Sequence, residues 1–537
     1  GFDLQDKWQN DTRFRLLMAL AGLFLLTLGV RLYQSLSLTT LTHDGSIAYC
    51  AAAGKQDELA RVFTGEYPYG EWVPAAEWKQ FIQADTPFCF AAISASLASY
   101  DIHPPFYFWW LHVFMLIFDT HAWTGPLLNT CFAVCSAIVL FFLARFCFKD
   151  TLLAAAAALI WFACPPAIAA SQVARQYDLL TLLSLLLIWR IVRVADADKP
   201  PAWPEYGLIL FLCVCGPLTH LHFGFAMMGC GVYLLLAWPR IGWKRLFPTL
   251  CSMGLGVILF YVLHPSILDS VERGKTQLQP FSQGALQTRF ELIPQMLAQF
   301  WGLPIPFQIL TWLFVIASVV FFLLHLIRQF YPSFLSKWPM PKAEFPLVFF
   351  FLWNLGFISA LYLAFLSPGH AMGDRYLSLV WPFMACMCVV YLRYLPRNPE
   401  VAGLILGAAL LLATYVNPIV SERVDLPQVD PVPHLEKADA LLIDNPSRGY
   451  LLQLIHVLPE KKMAFVAYQK SILERPEAML KQTFPMLCYY NLNAYGNTLD
   501  MHKQIIGILR EHYYMQLKLR AAWSHGQMYF GVRKYKK

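Results

Sequence analysis

Apolar stretches long enough to cross a bilayer recur along most of this chain, and polar positions break them in only a few places. A crossing helix needs about 20 mainly apolar residues. Such stretches start near Leu16, Leu152, Leu179, Gly207, Phe223, Pro248, Phe307, Pro346, Tyr376 and Val401, and another runs from Leu127 to Phe146. The pattern predicts roughly eleven spans, several of them tilted or broken. Phe106 to Phe118 is apolar over only about 13 residues, the length of an interfacial piece. Its Trp109 and Trp110 suit the headgroup boundary, so it is expected to lie flat on the outer surface.

The pattern changes after about Asn417. Leu426 to Pro433 reads as a linker. Strand-like runs follow at Ala438 to Asp444, Met463 to Tyr468, Met486 to Tyr490, Gln516 to Ala521 and Gln527 to Val532. Between them lie helical patterns from Arg448, around Leu473 to Lys481, and over Leu499 to His512. Alternating elements of this kind predict a small α/β domain over 421–537. The fold class expected is an α-helical integral membrane protein, with its membrane domain over 1–420.

Composition agrees: 58% of the 537 residues are hydrophobic and 14% are charged. The net charge of +7 is read through topology. Lys and Arg near span ends favour the cytoplasm. Arg13 and Arg15; Arg145 and Lys149; Arg190, Arg193 and Lys199; Arg240, Lys244 and Arg245; Arg328, Lys337 and Lys342; and Arg393 and Arg397 all fall inside if the N-terminus is cytoplasmic and Phe106 to Phe118 does not cross. The C-terminus then lies outside, as do two long loops over 35–125 and 264–306. The first span is long and no small-residue cleavage site follows it, so it is read as retained. No basic patch with interleaved aromatics favours nucleic acid, and no glycine-rich phosphate loop is present. Most of the thirteen cysteines fall inside spans as small apolar residues. Cys50 and Cys89 lie in the first outer loop, facing an oxidising space, and are candidates for a disulfide or for two free thiols.

The polar breaks read Thr42 to Gly45, Asp101 to Pro105, Gln172 to Asp178, Thr219 to His222 and Gly373 to Tyr376. Threading places nearly all of them at the outer face. Charged and imidazole groups at membrane depth are costly and usually functional, so one shared site is the economical reading.

These residues also resemble a family. His103-Pro104-Pro105-Phe106-Tyr107, with Leu143 to Phe146 after a short apolar segment, is similar to the polyprenyl-phosphate-sugar glycosyltransferases of GT-C fold, related to protein O-mannosyltransferases and the lipid A aminoarabinose transferase. Ser171 to Tyr177 resembles that family's Ser-Gln-Glu-Ala-Arg-x-Tyr loop, Thr219-His220 with Phe223-Gly224 its Thr-His-Tyr-Phe segment, and Asp374 to Leu377 with Pro382 its Arg-Tyr span. The resemblance runs in order over about 10–420. The family usually has Asp-Glu where this chain has Asp44-Gly45, and a glutamate where it has Val173.

The resemblance implies transfer of a sugar from a polyprenyl-phosphate carrier of undecaprenyl type to a lipid, glycan or protein acceptor. The reaction is expected at the periplasmic or exterior face of the cytoplasmic membrane, with inversion at the anomeric carbon. Asp44 is then the candidate general base; its other reading is a helix N-cap. Arg375 and Arg175 suit the carrier phosphate, which arginine grips with two bonds, or else snorkel to the interface. Arg273 and Lys275 reach the phosphate from the second outer loop or stay solvated. Asp178 shares the acid work with Asp44 or pairs with Arg175. His43, His103, Tyr177, His220 and His222 position the substrate; without an HxxxH or HExxH pattern, no metal or other cofactor is expected. The competing function is a polytopic transporter or lipid flippase, which would show charges at the midplane and internal repeats.

Overall fold

A computed structural model describes residues 11–196, 200–274, 297–302, 308–331, 333, 374–393, 398–416, 432–492, 496–520 and 526–535. The chain is mainly helical with a small mixed sheet, as the sequence predicts. Among the described residues, Thr12–Leu36, Thr124–Phe148 and Trp243–Leu263 are single helices long and apolar enough to cross a membrane. Thr151–Ala163 and Pro165–Ser171 form a fourth candidate, bent by 58°. The other expected spans appear as shorter or less apolar helices, among them Trp203–Thr219, Trp381–Leu392 and Pro399–Val416. The span expected from Pro346 lies outside the described residues. Phe106–Phe118 is a 13-residue helix, about 20 Å long against a hydrocarbon core of about 30 Å.

The bend at Cys164–Pro165 has a clear cause and a partner. Proline cannot donate the helical hydrogen bond and clashes with the preceding turn. The carbonyls freed there must be satisfied inside the protein, because lipid offers no donors. Arg31, 1% exposed on the first helix, does this. Its Nε and Nη2 donate to Phe162 O at 3.0 and 2.8 Å, its Nη1 donates to Ser171 Oγ at 2.7 Å, and the guanidinium lies 4.3 Å from the Phe162 ring.

Among the described residues the sheet has six strands: β1 Val73–Pro74, β2 Ala440–Ile443, β3 Met463–Val466, β4 Met486–Leu492, β5 Tyr513–Arg520 and β6 Gly526–Arg533, ordered β1-β3-β2-β4-β6-β5. β2 lies parallel between β3 and β4, which needs helical crossovers. Arg448–Val457 supplies the first, and Gln469–Glu474 with Pro476–Leu480 supply the second. The single helix read around Leu473 to Lys481 is thus two, because Pro476 starts a new one. Residues alternate between two buried faces. Leu441, Ile443 and Val466 join Leu451, Leu454 and Ile455; Leu442, Phe465 and Leu487 join Ile505 and Leu509.

β1 comes from the first long loop, and Val73 pairs with Ala464. The loop and the C-terminal domain therefore lie on the same side of the helical bundle. A second tie is the start of the His43–Ala52 helix, where Ser46 Oγ donates to Gly449 O at 2.8 Å and Gln453 Nε2 donates to Leu41 O at 2.8 Å. A side chain at position 449 would overlap the His43 ring, so glycine permits the approach.

Cys50 and Cys89 are free thiols. Cys50 is buried on the His43–Ala52 helix, while Cys89 Sγ turns toward Ala53 O and His112 Nε2, at 3.9 and 4.0 Å. The disulfide candidate is not realised.

Candidate functional site

Thr42, not Asp44, caps the His43–Ala52 helix: its hydroxyl accepts from Gly45 N at 2.9 Å. Asp44 is thereby released into the first helical turn, where exposed N–H groups favour negative charge. Its Oδ2 lies 2.8 Å from Arg375 Nη2 and its Oδ1 lies 3.6 Å from Arg175 Nη2. Burial alone would raise the Asp44 carboxyl. Arg175, the His43 hydrogen bond and Arg375 overcome this and hold it well below the usual carboxylate range. Asp44, Arg175 and Arg375 line a cavity of about 480 Å³, within the size range of small-ligand sites.

Arg175 sits on a short turn between Pro165–Ser171 and Tyr177–Asp196. The turn is held from behind. Asn129 Nδ2 donates to Val173 O at 2.6 Å, and Tyr107 Oη donates to Asn129 Oδ1 at 3.0 Å. Gly125 packs on Ala174 so closely that a Cβ would overlap it. Arg175 is 7% exposed, and its Nη1 is buried without a hydrogen-bond partner among the described residues.

Three histidines and two tyrosines also line the cavity. His220 Nδ1 accepts from His222 N at 3.0 Å, which leaves the proton on Nε2. Burial, with His222, His103 and Arg175 nearby, holds His220 well below its ordinary pKa and therefore neutral. His103 Nδ1 meets Asp101 Oδ1 at 2.5 Å, and Asp101 also accepts from Ile102 N at 2.7 Å and Gln56 Nε2 at 3.1 Å. Asp101 would be raised by burial, but His103, Arg175 and Arg448 hold it below the carboxylate range. Tyr177 stacks edge-on against Tyr376, 5.7 Å between ring centres. Leu221, Phe225 and Met228 make an apolar wall.

The structure thus gathers Asp44, Arg175, Arg375, His103, Tyr177, His220 and His222 around one cavity. Three expected residues stand elsewhere. Asp178, 4% exposed, neither lines the cavity nor pairs with Arg175; it accepts from Ser171 Oγ at 2.6 Å, beside Arg31. One residue after Tyr177 on a helix, it is turned by about 100° away from the cavity. His43 packs its ring on Tyr450 at 4.5 Å and touches the site only through its 3.2 Å contact with Asp44. Arg273 does not line the cavity either: its Nη2 donates to Ala98 O and Asp101 O at 2.6 and 2.8 Å. Lys275 lies outside the described residues. Sequence reading missed Asp101 as a site group and Asn129 as a brace. The Asp-x-His spacing at 101 and 103 was the available signal for the first. Among the described residues no group of three or more His, Cys, Asp or Glu side chains is placed to hold a metal ion.

Residues 102–264 match the family described as dolichyl-phosphate-mannose-protein mannosyltransferase. The resemblance to the polyprenyl-phosphate-sugar glycosyltransferases stands. The matched segment contains His103, Arg175, Tyr177, His220 and His222; Asp44 and Arg375 reach the same cavity from outside it. No curated protein matches the chain. Among solved structures, ArnT from Cupriavidus metallidurans bound to undecaprenyl phosphate is similar at 13% identity and a TM-score of 0.46, covering 95% of this chain and 97% of that one. The same protein in its apo state gives 14%, 0.47 and the same coverage.

Proposed function

We propose that this protein moves a sugar from a polyprenyl-phosphate carrier to an acceptor on a lipid, glycan or protein, at the extracytoplasmic face of the cytoplasmic membrane. The observation that carries the reading is the Arg175–Asp44–Arg375 cluster in the lining of a partly apolar cavity. Two guanidiniums converging on one carboxylate make a site for an anion, and phosphate suits their forked donors.

The donor phosphodiester has one negative charge. When the acceptor oxygen attacks the anomeric carbon, the bond from that carbon to the phosphate oxygen breaks and its electron pair stays on the phosphate. The phosphate then carries a second charge, which preplaced arginines stabilise most where it develops. The acceptor proton passes to Asp44. In the resting protein that carboxylate is a poor base, because both arginines favour its charged form. Donor phosphate drawing on the same guanidiniums weakens that hold and moves Asp44 back toward the ordinary range. The base is therefore armed by the donor. A single displacement of this kind inverts the anomeric centre.

His220 Nε2–H and Tyr177 Oη supply hydrogen bonds for sugar hydroxyls, and the apolar wall takes the start of the prenyl chain. The test is a transfer assay in detergent with purified donor lipid, run beside a donor-binding measurement. Covalent glycosylated product is expected. Movement of intact donor between leaflets without product would instead favour a flippase.

A further inference from the structure

We propose that Asp101 and His103 form a sugar-reading pair: His103 hydrogen-bonds a hydroxyl of the transferred sugar through Nε2, and Asp101 is the positioning residue that presents that nitrogen. This rests on the glycosyltransferase reading and adds the group that tells a glycosylated carrier from a bare one.

Asp101, held ionised, can only accept. Its Oδ1 takes hydrogen bonds from Ile102 N at 2.7 Å and His103 N at 3.3 Å, and its Oδ2 takes one from Gln56 Nε2 at 3.1 Å. His103 Nδ1, 2.5 Å from the same Oδ1, therefore carries a proton. Nε2 is the nitrogen left over, and no hydrogen bond reaches it among the described residues. The His103 side chain, 16% exposed, lines the cavity, while Asp101 acts from behind it.

Asp101 is itself held from two sides. Gln56 belongs to the helix Gln56–Val62. Arg273, on Ile267–Gly274, donates from Nε and Nη2 to Asp101 O at 3.2 and 2.8 Å. A carboxylate fixed in this way fixes both the tautomer and the tilt of its imidazole.

The wall of the cavity says which part of the donor His103 meets. The Arg375 guanidinium lies 5.3 Å from the Tyr376 ring centre. Ring centres then follow at 5.7 Å from Tyr376 to Tyr177, 5.5 Å from Tyr177 to His220 and 5.9 Å from His220 to His103. Three rings thus stand between Arg375 and His103 in this series. With the phosphate on the arginines, the attached sugar is the part that reaches His103. A hydroxyl both donates and accepts, so it meets Nε2 whether or not the ring holds a second proton. His220 offers its Nε2–H from the neighbouring ring, so one hexose can engage both imidazoles.

The experiment uses the full chain in detergent and measures binding of undecaprenyl phosphate and of undecaprenyl-phosphate-linked mannose, glucose and galactose. At least one glycosylated lipid is expected to bind more tightly than the bare one. His103→Ala should weaken that lipid about fivefold and leave the bare lipid unchanged. Asp101→Ala should do the same, and should add nothing in a His103→Ala background, a coupling that a merely structural role would not give. Asp101→Asn should recover most of the loss, since Ile102 N and His103 N keep its oxygen where Nδ1–H needs an acceptor. Bare-lipid binding reports that each variant is folded. Imidazole nitrogen-15 spectra of the unmutated protein need no change at Asp101: the His103 signals, assigned by their loss in His103→Ala, should show a protonated Nδ1 and an Nε2 that shifts with the glycosylated lipid only. Equal weakening of bare and glycosylated lipid by His103→Ala would overturn the proposal, because His103 would then serve the phosphate. So would additive effects of the two alanine variants, an Nε2 shift with the bare lipid, or no preference for any of the three sugars. Those outcomes leave the transfer reading standing; failure of the unmutated protein to bind the bare lipid refutes that reading and this proposal with it.

Discussion

Arg375 Nη2 stands 2.8 Å from Asp44 Oδ2, so the group read as a base and the group read as a phosphate partner form an ion pair with each other. Asp44→Asn should lower transfer by about 10² to 10⁴, the usual cost of losing a general base. It should not weaken donor binding, and is expected to tighten it, because the amide no longer competes for the arginines. Parallel turnover and donor-binding measurements check both. Near-normal turnover would remove Asp44 as the base and turn attention to His103, which Asp101 already orients.

Arg175→Ala and Arg375→Ala should each weaken donor binding about tenfold or more, since hydrogen bonds to charged groups contribute about 1.5–3 kcal/mol. Arg375→Lys should recover only part, keeping charge but losing the fork. Titration with a polyprenyl phosphate reads this without any need for an acceptor. Equal binding by all variants would place the phosphate elsewhere.

Arg31 and Asp178 form a buried unit through Ser171. Arg31→Met should cost about 3–5 kcal/mol, the range for stranding one buried charge. The double variant with Asp178→Asn should cost less than the sum of the singles, because neither charge is then left alone. Thermal melts in detergent measure the cycle. Asp178→Asn alone should keep most of the transfer activity, since this carboxylate does not line the cavity.

His456 joins the C-terminal domain to the first loop through Thr120 O, at 3.4 Å from its Nε2. Burial pushes its pKa down to about 4, against a weaker pull from the Thr120 bond. The unfolded imidazole titrates near 6.5, so between those values the unfolded chain binds the proton better. Stability should therefore fall as pH drops from about 6.5 to about 4, by on the order of 2–3 kcal/mol. His456→Gln should flatten that slope in melts taken across the range.

Cysteines introduced for Glu71, beside β1, and for Tyr535, near the end of β6, should react with an impermeant thiol reagent from the same side of the membrane. That side is expected to be the exterior. Labelling from opposite sides would refute the pairing of Val73 with Ala464; labelling of both from the cytoplasm would reverse the orientation.

Sequence pattern was most informative where period and punctuation agree. The helix Leu499–His512 begins and ends as read, because Thr498 caps it and the β5 run follows directly. The convergence of Asp44, Arg175 and Arg375 was legible because polar residues in an apolar chain are conspicuous. Asp178 was misplaced because adjacency in sequence does not survive the helical turn that separates it from Tyr177. Arg31 passed unread: a single arginine near a span end looks like an interfacial anchor, and only the bend at Pro165 reveals the carbonyls it serves. β1 was invisible since two residues, one of them proline, carry no alternation. Its existence depends entirely on the partner strand.

That dependence sets a schedule for biogenesis. Val73 can pair only after Ala464 has been made, and His43 meets Gly449 only at the same late stage. At about 5–20 residues per second, the first loop waits on the order of tens of seconds for its partner strand. During that interval the helix bearing Asp44 lacks its contacts with Gly449 and Gln453. A ribosome stalled before the last hundred residues would leave a chain in which every residue lining the cavity has been made but the loop and helix that carry Val73 and His43 still lack their partners.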